Sequence, residues 1–201
     1  MLFRIEHETR LTYTAPVSDH VCEVRMAPQS DEDQTALGYR LRVSPPAAAT
    51  TYYDGFGNRV ELFNVPARAT EMVIRAVNFV RTHRRPADDR LAGADPLGSA
   101  VAPAAVEFLQ PSPLAAPCPA LDAFVVGLPS TPQGLLERFV RMLMTAVGGR
   151  LSFEKKTTDA RTPVGDALAL GCSVWQDFAH LFLAACRRRG VPARYVSGYV
   201  H

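Results

Sequence analysis

Apolar and polar side chains alternate through about the first eighty residues of the chain. Near the N-terminus Phe3, Ile5 and Leu11 lie at odd positions, and charged residues fill most of the even positions between them. A period of two is typical of a strand with one buried face. The alternation recurs at residues 22–26, 39–43 and 60–62, and residues 72–80 predict a last, more buried strand.

Between two of these strands, residues 53–58 read Tyr-Asp-Gly-Phe-Gly-Asn. Two glycines and an asparagine tolerate positive φ, so this segment predicts the turn of a hairpin. Four to six antiparallel strands joined by such turns predict a small β-sandwich, which we assign to residues 1–82. No residue in this β-domain suggests chemistry.

The composition changes from residue 83 to residue 119. Seven prolines fall between residues 86 and 119, which favours a partly extended connector over a packed element. Its apolar anchors, which could contact either neighbouring domain, are Val106, Phe108 and Leu109.

Helical periodicity begins after residue 120. Thr131-Pro132 is typical of a helix start, and Gly148-Gly149 predicts the end of that helix. Its apolar stripe comprises Leu135, Leu136, Phe139, Val140, Leu143 and Val147. Thr162-Pro163 predicts a second, shorter helix.

A third helix is predicted from a capping box formed by Ser173 and Gln176. Its buried face comprises Phe178, Leu181, Phe182 and Ala185, and Gly190 and Pro192 end it. Residues 194–200 then read as a strand. Strands followed by helices make the whole chain α+β.

Composition and charge exclude several classes of protein. A net charge of +2 is too small to indicate a nucleic-acid partner. We find neither a signal peptide nor a run of about 18 apolar residues, so we expect no membrane span. The four cysteines contain no CxxC pair and are expected to be free thiols, which favours a cytoplasmic location.

The third helix carries the chemical information, because a cysteine in the first turn of a helix is activated by the helix dipole. Residues 173–180 read Ser-Val-Trp-Gln-Asp-Phe-Ala-His, and residues 190–199 read Gly-Val-Pro-Ala-Arg-Tyr-Val-Ser-Gly-Tyr. Both runs resemble the bacterial transglutaminase-like family of candidate cysteine proteases, where the first reads Gly-Val-Cys-Gln-Asp-Phe-Ala-His. The turn at residues 54–60 resembles that family's N-terminal β-domain.

The resemblance implies that residues 120–201 are the helical first half of a papain-like core. It also implies an ancestral thiol-dependent acyl transfer or peptide hydrolysis. The family's nucleophile falls on Trp175, whose indole can neither attack a carbonyl nor lose a proton at physiological pH. The family's catalytic histidine and carboxylate come beyond His201. We therefore expect an inactive member, in which Trp175 begins the third helix and its indole is at least partly buried.

Other side chains near Trp175 in the sequence are candidates for the missing nucleophile and base. Cys172 lies three residues before Trp175 and is the alternative nucleophile, although we favour a loop cysteine without a role. Gln176, Asp177 and His180 belong to the helix motif, and we expect His180 to be a structural histidine bonded to backbone or to a carboxylate. Cys172, His180 and Cys186 lack the spacing of a metal site, so no metal or cofactor is expected.

Three functional hypotheses follow. The first is an inactive family member. The second is a binding module for a peptide or protein, and the third is a thiol hydrolase that uses Cys172 with the missing segment supplied elsewhere. We also expect a homodimer, because the apolar face of the third helix and the strand after it need cover.

Overall fold

Two three-stranded antiparallel sheets form the first part of the computed structural model, which describes residues 1–83, 101–128 and 136–200. The first sheet contains β1 (Leu2–Val17), β3 (Gln34–Ser44) and β6 (Ala69–Thr82), in the order β1-β6-β3. The second contains β2 (His20–Val24), β4 (Ala49–Tyr53) and β5 (Arg59–Val65), in the order β2-β5-β4. The predicted antiparallel β-domain is confirmed.

The alternation in the sequence matches the burial of these strands. Apolar residues of β5 and β6 pack against partly buried residues of β1, β2 and β3 and form the core between the sheets. Burying one large apolar side chain contributes about 1.5–3 kcal/mol, so a few such residues stabilise the pair of sheets. The most buried are Val60, Phe63, Val65, Met72, Ile74, Ala76 and Val80.

The hairpin turn between β4 and β5 is organised by the carboxylate of Asp54. Its Oδ1 accepts hydrogen bonds from the backbone N–H groups of Phe56 (3.0 Å) and Asn58 (2.9 Å). Hydrogen bonds from the Asn58 side chain, and then from Arg25, lower the pKa of Asp54 to about 2. Gly57 takes the positive φ of 75° that the sequence pattern predicted for this turn.

Helices dominate the second unit of the chain, which begins at residue 87. Two short 3-10 helices (Pro103–Leu109 and Pro113–Ala115) precede α1 (Pro119–Val126), α2 (Leu136–Arg150), α3 (Val164–Leu170) and α4 (Trp175–Arg188). A two-residue parallel ladder pairs β7 (Ser152–Phe153) with β8 (Cys172–Ser173). The fold is therefore α+β, as predicted, and none of the described helices is long and apolar enough to cross a bilayer.

The helices share one apolar core. The predicted stripe of α2 is confirmed from Leu136 onward, because Phe139, Leu143 and Val147 are buried and Leu136 and Val140 are partly buried. Leu135 lies outside the described residues. On α4, Leu181 and Ala185 are buried as predicted, whereas Phe178 and Phe182 are only partly buried at the edge of the core. The remaining members of the core include Leu121, Val125, Val164, Leu168 and Ala184.

The predicted connector differs from the structure over residues 101–119. These residues form the two 3-10 helices and pack against other parts of the second unit: Ala115 is buried, and the Phe108 carbonyl accepts a hydrogen bond from Ala193 N–H at 3.1 Å. Proline suits the first turn of a short helix, so prolines here start elements rather than prevent them. Of the three predicted anchors, Phe108 thus contacts the segment that follows α4.

One predicted boundary of α2 was wrong, and the other lies outside the described residues. The helix α2 does not end at Gly148-Gly149 but continues to Arg150. Its end is fixed by tertiary contacts, since Arg150 donates to the Leu168 carbonyl and Leu151 is buried, and these override the low helix propensity of glycine. The predicted start at Thr131-Pro132 lies outside the described residues.

The predicted strand at residues 194–200 was wrong. The segment is irregular, and Val196 and Val200 are exposed. A strand requires a neighbour to satisfy its backbone groups, and no strand in the described part of the chain lies beside this one.

We expect truncation of the helical core to be costly. Leu181→Ala should lower the free energy of unfolding of the second unit by roughly 2–5 kcal/mol, because Leu181 is fully buried. Urea unfolding followed by circular dichroism measures this. Met144→Ala is the matched control, since Met144 is 62% exposed on α2 and its truncation should change stability by less than about 0.5 kcal/mol. Equal effects of the two substitutions would contradict the assigned core.

Candidate functional site

The start of α4 is fixed by a buried carboxylate. Asp177 is in the first turn, and its Oδ2 accepts hydrogen bonds from Val174 N–H (3.0 Å) and from the Thr158 hydroxyl. The predicted capping box of Ser173 and Gln176 was wrong by one residue. A carboxylate at the positive end of the helix binds the free N–H more strongly than a neutral amide does.

The two residues of the predicted capping box have other positions. Ser173 is buried in β8, and its hydroxyl has no hydrogen-bond partner among the described residues. Gln176 donates through Nε2 to the Asp159 carbonyl at 2.7 Å. Together with the bond from Thr158, this ties the loop between β7 and α3 to the first turn of α4.

Trp175 lies at the start of α4, as the resemblance predicted, but it is not buried. Its side chain is 72% exposed, which corrects the expectation of a partly buried indole. The indole stacks on Phe153 of β7, with ring centroids 4.3 Å apart and an interplanar angle of 25°. Phe178, one turn along α4, lies 6.2 Å away in a tilted arrangement. The indole therefore covers Phe153 instead of filling a cavity.

Cys172 lies on β8 beside Ser152 and is partly buried. Its pKa is raised, first by partial loss of solvent and then by the neighbouring Glu154 carboxylate. Both causes favour the thiol over the thiolate, which is the nucleophilic form. The surroundings of Cys172 are thus opposite to those of an activated cysteine.

The other cysteines serve packing or capping. Cys186 is 2% exposed within α4, and burial raises its pKa to about 12. The Sγ of Cys118 accepts a weak hydrogen bond from Leu121 N–H at 3.4 Å at the start of α1. Cys22 belongs to the edge of the β-domain core, and burial raises its pKa.

His180 does not have the hydrogen bond expected of it. Its Nδ1 is buried and has no partner in the described part of the chain, while its ring lies 5.6 Å from that of Tyr195. Burial lowers the pKa of His180, and the nearby charge of Asp177 opposes this in part. Neutral imidazole is therefore favoured. Across residues 1–83, 101–128 and 136–200, no three His, Cys, Asp or Glu side chains are grouped to hold a metal.

An apolar groove of about 490 Å³ lies between α2, α4 and the irregular segment after α4. Its lining residues include Met144, Val147, Phe178, Phe182, Tyr195 and Val196. Phe178 belongs both to this groove and to the aromatic cluster around Trp175. No sequence pattern indicated the groove, because its walls come from three separate segments. Phe153 was missed as well, since a single phenylalanine outside any predicted element carries no signal.

Comparison with known families assigns both units. The family model of the bacterial transglutaminase-like N-terminal region matches residues 3–81, and that of the transglutaminase-like superfamily core matches residues 123–201. The chain belongs to the bacterial transglutaminase-like family. This confirms the resemblance drawn from residues 173–180 and 190–199.

Two mycobacterial proteins are similar to this transglutaminase-like chain over 98% of its length. ML0607 of Mycobacterium leprae is 30% identical, with 71% of its own length covered. Rv2569c of Mycobacterium tuberculosis is 28% identical, with 65% covered. The chain thus spans about two thirds of the length of the relatives that it matches.

A solved structure supports the fold. The crystal structure of a candidate cysteine protease from Cytophaga hutchinsonii superposes with a TM-score of 0.72, over 96% of this chain and 67% of the other. The two sequences are 16% identical, so the likeness concerns the fold alone. It covers the β-domain and the helical half of this transglutaminase-like chain.

We expect the thiols of this transglutaminase-like protein to react slowly at neutral pH. The pKa values of Cys172 and Cys186 are raised, so the thiolate fraction at pH 7 should be below that of free cysteine and should grow as the pH rises. Iodoacetamide labelling followed by peptide mass spectrometry measures each site. Protein unfolded in urea, in which all four thiols should react, is the control. Labelling of Cys172 faster than free cysteine at pH 7 would contradict the assignment.

Proposed function

We propose that this chain is a peptide- or protein-binding member of the transglutaminase-like family without thiol catalysis of its own. One observation carries the proposal: the first residue of α4, which the resemblance aligns with the family's nucleophile, is an exposed tryptophan stacked on Phe153. An indole has no ionisable nucleophile, so covalent catalysis by the family's route requires a group that Trp175 lacks.

The same side chain supports binding. Tryptophan is the residue type most enriched at energetically dominant contacts, because its large face loses water and its N–H can still donate a hydrogen bond. Phe153 covers one face of the Trp175 indole, which limits its rotamers and lowers the entropy lost when a ligand contacts it. An ordered, exposed indole is a better binding group than a mobile one.

The groove extends this contact surface. It begins at Phe178, next to the Trp175 cluster, and its walls are almost entirely apolar. A peptide that contacts Trp175 would find apolar side-chain sites along α4. This favours a polypeptide ligand with apolar side chains over a small polar metabolite.

The alternative of a thiol hydrolase that uses Cys172 is less well supported. The raised pKa of Cys172 works against thiolate formation, because the thiol has lost part of its solvent and the nearby charge of Glu154 disfavours the anion. We keep the cytoplasm as the proposed compartment on the basis of the four unpaired cysteines.

The proposal predicts binding without turnover. Trp175 is the single tryptophan of the chain, so its emission reports on this position alone. Tryptophan-free 15-residue peptides are first screened on an array, and hits are then titrated in solution. A bound peptide should shift the emission to the blue and protect the indole from acrylamide quenching. Incubation with casein, or with casein and an amine donor, should give neither cleavage nor amine incorporation.

Matched variants test the role of the indole. Trp175→Ala should abolish peptide binding, measured by anisotropy of a labelled peptide, whereas Phe56→Ala should not, because Phe56 is an exposed aromatic residue of the β-domain. Casein cleavage that disappears in Cys172→Ala would overturn the proposal in favour of the thiol hydrolase. Peptide binding that survives Trp175→Ala would remove Trp175 from the site.

A homodimer remains our proposed assembly. The segment after α4 exposes apolar surface at Tyr195, Val196 and Val200. Exposed apolar surface of this kind marks an interaction site, and we propose that a second copy of the chain covers it. Light scattering at micromolar concentration should give twice the chain mass, and Val196→Glu should return it to the mass of one chain. A monodisperse monomer with normal solubility would rule out the dimer.

A further inference from the structure

Outside the transglutaminase-like core, a cationic surface lies on the outer face of the β-domain. Two exposed arginines of β3, Arg40 and Arg42, make no ion pair with any described residue. By contrast, Arg4 and Arg75 on the same face pair with Glu6 and Glu8. Two neighbouring, uncompensated guanidinium groups are therefore left on this edge of the sheet.

The register makes this arrangement costly for the free protein. Arg42 lies directly opposite Arg75 on the neighbouring strand β6. Like charges in direct cross-strand positions destabilise a sheet. The charge of Arg75 is compensated by an ion pair with Glu8 of β1, the strand on the other side of β6. No carboxylate in the described part of the chain pairs with Arg42. An anionic partner would supply the missing charge.

The strand β3 is at the edge of its sheet, so such a partner has room to bind. The order β1-β6-β3 leaves one side of β3 without a strand among the described residues. Arg40 and Arg42 are two positions apart and share the outer face. A strand added beside β3 would place every second side chain opposite them, about 5 Å away between Cβ atoms.

The surface also includes an apolar site. A bulge between Ala36 and Gly38 interrupts the pairing of β3 with β6, and a Cβ on Gly38 would lie 3.7 Å from the Phe79 ring. Phe79 itself is 43% exposed. With Val77 it forms the floor of a groove of about 520 Å³ whose rim carries the arginines. The missing side chain at Gly38 leaves space for an apolar residue of the partner.

We propose that the free edge of β3 binds an extended acidic polypeptide segment. The carboxylates of the partner segment lie at alternate positions and pair with Arg40 and Arg42. An apolar side chain of the partner, two positions further along, lies over Gly38 against Phe79. The arginine fork is suited to a carboxylate because it can donate two parallel hydrogen bonds. The same positive charges oppose pairing between two copies of β3, so the edge selects an acidic partner over its own copy.

The test uses a fluorescein-labelled peptide, Leu-Thr-Glu-Thr-Glu-Thr-Leu, whose pattern reads the same in both strand directions. A second peptide of equal composition, Leu-Thr-Thr-Glu-Glu-Thr-Leu, places only one carboxylate on the arginine face. Anisotropy titration of the full chain should show at least about tenfold tighter binding of the alternating peptide, with an affinity that falls as salt is added.

Charge-matched variants identify the surface. The variant R40E/R42E should lose at least about tenfold in affinity for the alternating peptide, and R40Q/R42Q should lose less. The variant R68E/R138E changes the net charge equally but alters exposed arginines elsewhere, and it should bind as the unmodified chain does. Circular dichroism checks that all variants are folded. Equal binding of the two peptides, no binding of either, or equal losses in R40E/R42E and R68E/R138E would each overturn the proposal.

Discussion

The carboxylate of Asp177 lies buried under the first turn of α4, where it accepts hydrogen bonds from Val174 N–H and from the Thr158 hydroxyl. These bonds determine the residue at which the helix begins, and the position of every other group at the site depends on that residue. If the carboxylate were removed, the partly buried Val174 N–H would lose its main acceptor, at a cost of about 1–3 kcal/mol. Because the helix begins at Trp175, the indole points outward beside Phe153.

The sequence predicted those parts of the fold in which local pattern and burial coincide. The alternation in β1, β3 and β6 and the stripe on α2 were correct because the apolar residues at the repeating positions, such as Leu41, Ile74 and Leu143, face a core that neighbouring elements complete. The cap of α4 was misplaced by one residue, because Ser173–Gln176 and Val174–Asp177 have the same spacing and only the surrounding loop decides between them. The strand expected at residues 194–200 was wrong because pairing is a property of two segments.

The family was also readable from the sequence, whereas the surroundings of the site were not. The motif at residues 173–180 was sufficient to assign the family and to align Trp175 with its nucleophile. The indole of Trp175 stacks on Phe153, which is distant in sequence, and the pKa of Cys172 is raised by loss of solvent and then by Glu154. Contacts of this kind arise where β7 and β8 pair, and that two-residue ladder is too short for a recognisable sequence pattern.

The edges of the β-domain differ in how they are protected. Charged side chains run along β1 and β3, but β4 reads Ala-Thr-Thr-Tyr-Tyr, is exposed at every position and lies at the open end of its sheet. An uncharged edge strand of β-branched and aromatic residues is the kind of segment from which intermolecular β-aggregation begins. Pro45 and Pro46 before it, and Asp54 after it, limit its length to five residues. The solubility of the chain at high concentration therefore depends on these three flanking residues, which keep the aggregation-prone segment short.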